Sequence, residues 1–153
     1  MIRVLFVCLG NICRSPMAEA LFRQKVAQAG LQEQIAVDSA GTGDWHVGEP
    51  PHPGTSRILA ENGVPYAHRA RQITPGDLAE FDYVITMDDA NRRAVERLGQ
   101  GRAKAADLLS FGSPSGVTEV PDPYYTGNFS EVYHLVSNAT EGLLAVIREG
   151  QEL

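Results

Sequence analysis

The sequence predicts an α/β fold, a three-layer doubly wound sandwich around a four-stranded parallel sheet with a phosphate-binding loop after the first strand. Along its 153 residues, short apolar runs typical of buried strands alternate with stretches whose apolar residues recur at helical spacing. Strands that alternate with helices pair in parallel through right-handed crossovers. The first apolar run leads directly into a loop centred on glycine and asparagine and then into a Ser-Pro helix start. We therefore expect residues 1–153 to form a single domain of this class.

The first strand and the first helix are predicted from composition and spacing. Residues Ile2 to Val7 form a short run rich in β-branched and aromatic side chains, which is typical of a buried strand. Pro16 suits the first position of a helix, and Ser15 before it is a good N-cap. We expect this helix to end at Ala29, because Gly30 is a typical C-terminal stop.

The later elements are predicted from the same kinds of signal. Thr74-Pro75-Gly76-Asp77 resembles a capping box at a helix start, and Asp88 or Asp89 is expected to cap the next helix. The last helix carries an apolar stripe that should face the core. The predicted strands are 34–38, 83–87 and 105–109, the predicted helices are 54–62, 75–80, 89–98 and 130–149, and the predicted loops are 39–43, 44–54 and 110–127.

The loops that follow the four predicted strands are 8–15, 39–54, 88–89 and 110–127. In doubly wound sheets, ligands bind in the crevice beyond the carboxyl ends of the strands. We therefore expect these four loops to meet at one edge of the sheet, with the chemistry-bearing residues among them.

The loop from Cys8 to Ser15 has the composition of an anion site with a nucleophile. Gly10 and Asn11 can supply the unusual backbone dihedrals that turn successive N–H groups towards one point. The start of the following helix adds its own N–H groups, which favour an anion. A thiol beside such dipoles and a guanidinium loses its proton readily, and the planar fork of Arg14 can bind two phosphate oxygens. We interpret residues 8–15 as a phosphate cradle with a Cys8 thiolate at its floor.

Other interpretations of this loop are weaker. Cys8 as a buried strand-end cysteine and Arg14 as a surface charge would leave the Gly-Asn centre and the Ser-Pro start unexplained. A zinc site at Cys8 and Cys13 would need two further ligands, but the sequence has no other cysteine and its four histidines show no paired spacing. A Walker-type nucleotide loop is excluded, because no Gly-Lys-Ser/Thr follows.

A candidate general acid lies in the last loop, within Pro121-Asp122-Pro123-Tyr124-Tyr125. Attack of a thiolate on a phosphate ester expels an oxygen that needs a proton. Two prolines hold Asp122 on a stiff backbone, and the adjacent tyrosines could wall a cleft, one facing in and the other out. The alternative is a solvent-exposed turn aspartate, and the expected position of the loop beside the cradle favours the acid.

Composition limits the partners of the chain. The net charge is −6, from 13 basic and 19 acidic residues, so an anion site must be local and a nucleic-acid partner is not expected. The two cysteines both lie in the cradle, which excludes a disulfide scaffold and fits a reducing, cytoplasmic compartment. The apolar run at the N-terminus is too short for a signal peptide or a membrane span, so no membrane association is expected.

Two motifs at opposite ends of the chain carry a family resemblance. The segment Cys8-Leu9-Gly10-Asn11-Ile12-Cys13-Arg14-Ser15-Pro16, together with Asp122-Pro123-Tyr124-Tyr125, resembles the low-molecular-weight protein tyrosine phosphatase family. The resemblance extends through residues 38–42, 44–45, 68–74, 81–83 and 87–88, in the family's order and spacing, and so covers essentially the whole chain. It implies one phosphatase domain that needs no cofactor and no metal.

The resemblance also implies roles for individual residues. It makes Cys8 the nucleophile, Arg14 the transition-state clamp and Asp122 the general acid. Ser15 would stabilise the thiolate, and Asn11 would hold the loop open through a serine and a histidine. Leu9, Gly10, Ile12 and Cys13 complete the cradle, Ser39 and His68 match the supporting serine and histidine, and Trp45, Tyr124 and Tyr125 match the substrate cleft. The alternatives are that Ser39 is a strand-end turn residue and that His68 is a half-buried surface histidine.

The expected reaction is hydrolysis of a phosphotyrosine protein or a small aryl phosphate, with inorganic phosphate as product. Two other classes share the fold. An arsenate-reductase-like enzyme would relay oxidation to cysteines outside the loop, and the sequence has none there. A non-catalytic phosphotyrosine-binding module would need neither a nucleophile nor an acid. Separately, Cys8 and Cys13 are close enough in sequence to suggest a reversible protective disulfide, with Cys13 as a small buried filler as the alternative.

Overall fold

A computed structural model describes residues 1–153 and contains one sheet of four parallel strands. The spatial order is β2-β1-β3-β4, so β1 lies between β2 and β3. The predicted four-stranded parallel sheet is therefore confirmed. The strands are β1 (Ile2–Cys8), β2 (Ile35–Gly41), β3 (Tyr83–Thr86) and β4 (Lys104–Asp107).

Six α-helices and one 3-10 turn complete the fold. They are α1 (Arg14–Gln28), α2 (Pro53–Glu61), α3 (Pro75–Glu80), α4 (Asp89–Leu98), the 3-10 turn (Leu108–Phe111), α5 (Pro123–Thr126) and α6 (Phe129–Gln151). No helix combines the length and the apolar character that crossing a membrane requires.

The alternation of side chains along β1 divides the core into two layers. Val4, Phe6 and Cys8 point to the face covered by α1, α2 and α6, whereas Leu5 and Val7 point to the face covered by α3 and α4. Successive side chains of a strand point to opposite faces, so a strand buried on both faces must be apolar throughout. The three-layer sandwich predicted from the sequence is confirmed.

The second strand is longer than predicted, because Ser39, Ala40 and Gly41 belong to β2 and not to a loop. Each of them pairs with β1, where Phe6, Val7 and Cys8 are their register partners. The fourth predicted strand is shorter than 105–109. It ends at residue 107, where the chain enters the 3-10 turn.

The first helix begins at Arg14, and Ser15 is not its N-cap. Cys13 occupies that position without a side-chain cap, and the Ser15 hydroxyl bonds inside the cradle instead. The capping box of Thr74 and Asp77 is present as predicted, and Asp88 is the residue that caps α4.

The short helix α5 lies inside what was predicted as the loop 110–127. Its N-cap is Asp122, whose Oδ1 accepts from the Tyr124 N–H at 3.1 Å. With four residues, α5 is too short to show helical periodicity in the sequence. It nevertheless fixes the direction in which Asp122 leaves the backbone.

Candidate active site

The cradle lies at the carboxyl edge of the sheet, between the end of β1 and the start of α1. Cys8 is 2% exposed, and the backbone N–H groups of residues 9–13 donate to no acceptor within the protein. Buried N–H groups rarely stay unpaired unless a ligand or water takes them. The loop can therefore receive an oxyanion next to the Cys8 sulfur.

Asn11 and Gly10 serve the cradle for different reasons. Asn11 has φ of 59°, the left-handed region that asparagine tolerates better than most residues. Gly10 is not in that region, so the prediction of an unusual dihedral there is wrong. Its small size is needed instead for space, because a Cβ on Gly10 would lie 2.9 Å from Cδ2 of His46.

Ser15 contacts the candidate nucleophile directly. Its Oγ lies 3.0 Å from Cys8 Sγ and accepts from Asn11 Nδ2 at 2.8 Å. Because the amide uses the oxygen as an acceptor, the Ser15 O–H can donate to the sulfur, with the Ala40 carbonyl, 3.4 Å away, as its alternative acceptor. A hydroxyl that donates to a thiolate stabilises the negative charge.

Arg14 is fixed by two carboxylates although its side chain is only 3% exposed. Nη1 donates to Asp88 Oδ2 at 2.7 Å and to the Val120 carbonyl at 3.0 Å, and Nη2 donates to Asp122 Oδ2 at 3.4 Å. Burial opposes the charge, but Cys8, Asp88 and Asp122 outweigh it and raise the pKa of Arg14 above its ordinary value. The guanidinium is thus a permanent cation beside the Cys8 sulfur.

The orientation of the Asn11 amide follows from one backbone donor. Asn11 Oδ1 accepts from the Arg71 N–H at 3.0 Å, so Nδ2 must face the hydroxyls of Ser15 and Ser39 at 2.8 and 3.0 Å. His68 Nε2 lies 2.8 Å from the same Oδ1 and must therefore carry a proton and donate. The amide is satisfied on both sides and links the cradle to Ser39, His68 and the backbone of Arg71.

A buried carboxylate supports this network from behind. Glu19, 2% exposed, accepts from Ser39 Oγ at 2.7 Å, from Tyr66 Oη at 2.9 Å and from Arg23 at 2.5 Å. Burial, with the Glu19 charge, raises the pKa of Tyr66, and burial lowers the pKa of His68. Sequence reasoning missed Glu19, although a charged residue beside the apolar stripe of α1 was the available signal.

The aromatic residues predicted for the substrate cleft line it. A cavity of about 390 Å³ opens above the cradle, and Trp45, Tyr124 and Tyr125 are among its lining residues. The tyrosines are 51% and 75% exposed, so the expectation that one of them faces inward is wrong. Both stand at the mouth, since residues 124–126 of α5 are exposed while Pro123 is buried, and their rings meet edge to face at 5.2 Å.

His46 is a cleft residue that the sequence analysis missed. Its Nδ1 lies 2.8 Å from Glu49 Oε2, and its ring lies 6.0 Å from that of Tyr124. Its place directly after Trp45 was the available signal.

Cys13 faces a different environment from Cys8, although both thiols are free and buried. Burial, and then the nearby Cys8 and Asp122, raise the pKa of Cys13 to about 12. Cys13 therefore stays protonated at neutral pH, as a small buried side chain would.

One cluster has the residue types of a cation site. Ligating atoms of Glu19, Asp38 and His68 lie within 4.8 Å of one another. Arg23 and Arg71 already pair with the two carboxylates, so the negative charge that would attract a cation is compensated.

Comparison with known proteins identifies the family. Residues 3–153 match the family described as low molecular weight phosphotyrosine protein phosphatase. The chain is 48% identical to the low molecular weight protein-tyrosine-phosphatase YfkJ of Bacillus subtilis, with 100% of both chains covered. It is 45% identical to the low molecular weight phosphotyrosine protein phosphatase of Schizosaccharomyces pombe, with 95% of this chain and 97% of the relative covered. The crystal structure of YfkJ matches with a TM-score of 0.95 over 98% of this chain and 96% of that one.

Proposed function

The chain belongs to the low molecular weight phosphotyrosine protein phosphatase family, and from this premise we propose how its residues hydrolyse aryl phosphate monoesters. One observation carries the assignment of roles. The Cys8 sulfur lies in a loop whose N–H groups are unpaired, while Arg14 and Asp122 reach the same cleft from α1 and the last loop. Nucleophile, oxyanion donors and acid are thereby provided in one place.

In the first step, the Cys8 thiolate attacks phosphorus in line with the ester oxygen. Arg14 and the loop N–H groups bind the three equatorial oxygens, where charge accumulates in the transition state. The sulfur–phosphorus bond forms as the phosphorus–oxygen bond breaks, and Asp122 gives its proton to the departing oxygen. Because Arg14 and the backbone dipoles supply the positive potential, we propose that no metal takes part.

In the second step, water hydrolyses the cysteinyl phosphate. Asp122, now a carboxylate, takes a proton from the water as its oxygen attacks phosphorus. The phosphorus–sulfur bond breaks, inorganic phosphate is released, and the hydroxyl of Ser15 stabilises the departing thiolate across the observed 3.0 Å. Asn11, Ser39 and His68 act at a distance by holding the loop in its open form.

The proposed substrate is a phosphotyrosine side chain of a protein. Trp45, Tyr124 and Tyr125 offer flat apolar surfaces on which an aryl ring can stack. A shorter phosphoserine would have to bring its backbone down into the cleft to reach the cradle. We propose a cytoplasmic location, since the mechanism needs a reduced Cys8.

The test of this function is turnover of p-nitrophenyl phosphate in EDTA at mildly acidic pH by the wild type and by Cys8→Ser. We expect turnover by the wild type and none by the variant, because a serine hydroxyl is far less readily ionised than a thiol. Cys13→Ser is the matched control, since its thiol stays protonated, and it should remain active.

Two results would contradict the proposal. Activity that persists in Cys8→Ser would place the reaction outside the cradle. A wild type that binds phosphate without turnover would favour a binding module. A second assay, with phosphotyrosine and phosphoserine versions of one peptide, tests the substrate class, and equal kcat/KM for the two would reject phosphotyrosine selectivity.

A further inference from the structure

A segment behind the cradle, residues 69–73, joins the end of β2 to Asn11. The Gly41 N–H donates to the Arg71 carbonyl at 2.8 Å, and the Ile73 N–H donates to the Gly41 carbonyl at 2.8 Å. The segment thus extends the sheet by one short parallel bridge beyond β2. From this place the Arg71 N–H donates to Asn11 Oδ1 at 3.0 Å, and it is the backbone bond that orients the Asn11 amide.

The same segment also holds the substrate side of the site. The Gly48 N–H donates to the Ala70 carbonyl at 2.8 Å, and the Ala70 N–H donates to the Glu49 carbonyl at 2.9 Å. Glu49 bonds His46, which lines the cleft. A displacement of residues 69–73 would therefore move the support of the cradle and one wall of the cleft together.

The Arg71 side chain ties this segment to two separate elements. Nε and Nη2 donate to Asp38 Oδ2 of β2 at 3.2 and 3.1 Å. Nη1 and Nη2 donate to the two carboxylate oxygens of Asp77, in the first turn of α3, at 3.0 and 3.1 Å. Partial burial disfavours the charge, but the bonds to Asp77 and Asp38 outweigh it and raise the pKa of Arg71.

We propose that Arg71 is a positioning residue of the phosphatase site, which acts through Asn11 and through the cleft wall around His46 without touching the substrate. The inference rests on the function proposed above. Its side chain is one-third exposed and points away from the cleft, towards Asp38 and Asp77, so its effect on the reaction is indirect. The four charged hydrogen bonds fix the place of its backbone N–H, and that N–H fixes Asn11.

A lysine cannot replace this arrangement. The planar guanidinium directs several N–H groups at both carboxylates at once, whereas an ammonium is a compact point charge. Arg71→Lys would keep the charge and much of the ion pairing, but it would leave the segment free to shift between Asp38 and Asp77. A role limited to charge would be restored by lysine, and a positioning role would not.

The experiment compares Arg71→Gln and Arg71→Lys with the wild type. Three quantities are measured for each: kcat and KM for p-nitrophenyl phosphate, the Kd of inorganic phosphate by calorimetry, and Tm. Arg102→Gln is the matched control, since it removes another arginine–aspartate pair, with Asp82, at the amino end of β3, opposite the cradle.

We expect Arg71→Gln to lower kcat/KM by about tenfold and to weaken phosphate binding by a similar factor, because small misplacements of catalytic groups are costly. Relative to Arg71→Gln, Arg71→Lys should recover most of the decrease in Tm. It should recover less than half of the increase in log Kd for phosphate. Arg102→Gln should stay within twofold of the wild type in kcat/KM.

The outcomes separate the inference from the function on which it rests. An active wild type with a folded Arg71→Gln variant within twofold in both kcat/KM and phosphate Kd would overturn the positioning role. Full recovery of both by Arg71→Lys would overturn it as well. A wild type that neither turns over substrate nor binds phosphate would overturn the function instead. If Arg71→Gln does not fold, Asp38→Asn removes one of the two anchors, and unchanged phosphate affinity there would also count against the proposal.

Discussion

Asp88 Oδ2 lies 2.7 Å from Nη1 of Arg14, while the other oxygen of the same carboxylate accepts from the Asn91 N–H at 2.8 Å. One side chain therefore caps α4 and orients the guanidinium of the cradle. The sequence predicted only the cap. The second contact joins the end of β3 to the start of α1. It is possible because β1, which leads into α1, is the neighbour of β3 in the sheet.

The double use of Asp88 predicts different results for two substitutions. Asp88→Asn keeps an oxygen for the Asn91 N–H but loses the charged bond to the buried Arg14, so kcat/KM for p-nitrophenyl phosphate should fall about tenfold and the free energy of unfolding should fall by about 1.5–3 kcal/mol. Asp88→Ala loses both contacts and should in addition lower the free energy of unfolding by about 1 kcal/mol. Turnover and urea unfolding of the two variants check this. If Asp88→Asn loses activity only because it is unfolded under the assay conditions, the proposed role of Asp88 in orienting Arg14 would be contradicted.

Asp122→Ala should lower turnover of aryl phosphates by roughly 10²–10⁴-fold, the usual contribution of a general acid. Asp122→Asn is the sharper variant, because its oxygen can still cap α5 at the Tyr124 N–H while the acid is lost. The loss should shrink as the leaving group becomes more acidic, which a series of substituted phenyl phosphates measures. Glu119→Gln, on the same loop, is the control. A loss under threefold for Asp122→Ala would remove Asp122 from the acid role.

The elements that the sequence predicted well have local signals. The continuous apolar run of β1 is typical of a strand that is buried on both faces. Asp122 could be predicted to lie beside the cradle because both follow strands of one parallel sheet. Ser15 was wrongly predicted as the N-cap, because a hydroxyl at a helix start suits a cap and a thiolate contact equally well. Glu19 showed only that it is a charged residue beside the apolar stripe of α1, and its partners could not be predicted, because Ser39 and Tyr66 lie 20 and 47 residues away along the chain. The contacts of Arg71 with Asn11 and Asp38 span 60 and 33 residues. Contacts at such separations leave no periodic pattern.

The two cysteines should differ sharply in reactivity. With a pKa raised to about 12, Cys13 stays a thiol at pH 7–9, whereas alkylation requires the thiolate. Iodoacetamide at pH 7 should therefore label Cys8, and inorganic phosphate bound in the cradle should slow that labelling. Tandem mass spectrometry of the tryptic peptide 4–14 distinguishes the two positions. Labelling of Cys13 at a rate equal to that of Cys8 in the folded protein would be inconsistent with its environment.

The predicted Cys8–Cys13 disulfide needs a separate measurement. Both thiols are free in this structure, so the bond remains a prediction. Peroxide should yield a disulfide in the 4–14 peptide that thiol reductants reverse, with recovery of activity. Sulfinate on Cys8 without any disulfide would leave Cys13 as a buried filler.

The ion pair between Asp77 and Arg71 predicts how stability depends on pH. Burial opposes the charge of Asp77, but the bonds from Arg71 and from the Thr74 N–H outweigh it and hold the pKa of Asp77 below its ordinary value of 3.8. A carboxyl whose pKa is lower in the folded state stabilises the protein above its unfolded-state pKa, and this contribution is lost as the pH falls through the folded-state value. At pH 7, Asp77→Asn should therefore lower the free energy of unfolding by about 1.5–3 kcal/mol, the range for hydrogen bonds to charged groups. The difference between wild type and variant should shrink as the pH falls from about 4 towards 2, and urea unfolding across that interval measures it. A difference that stays constant down to pH 2 would show that the Asp77 charge does not stabilise the fold.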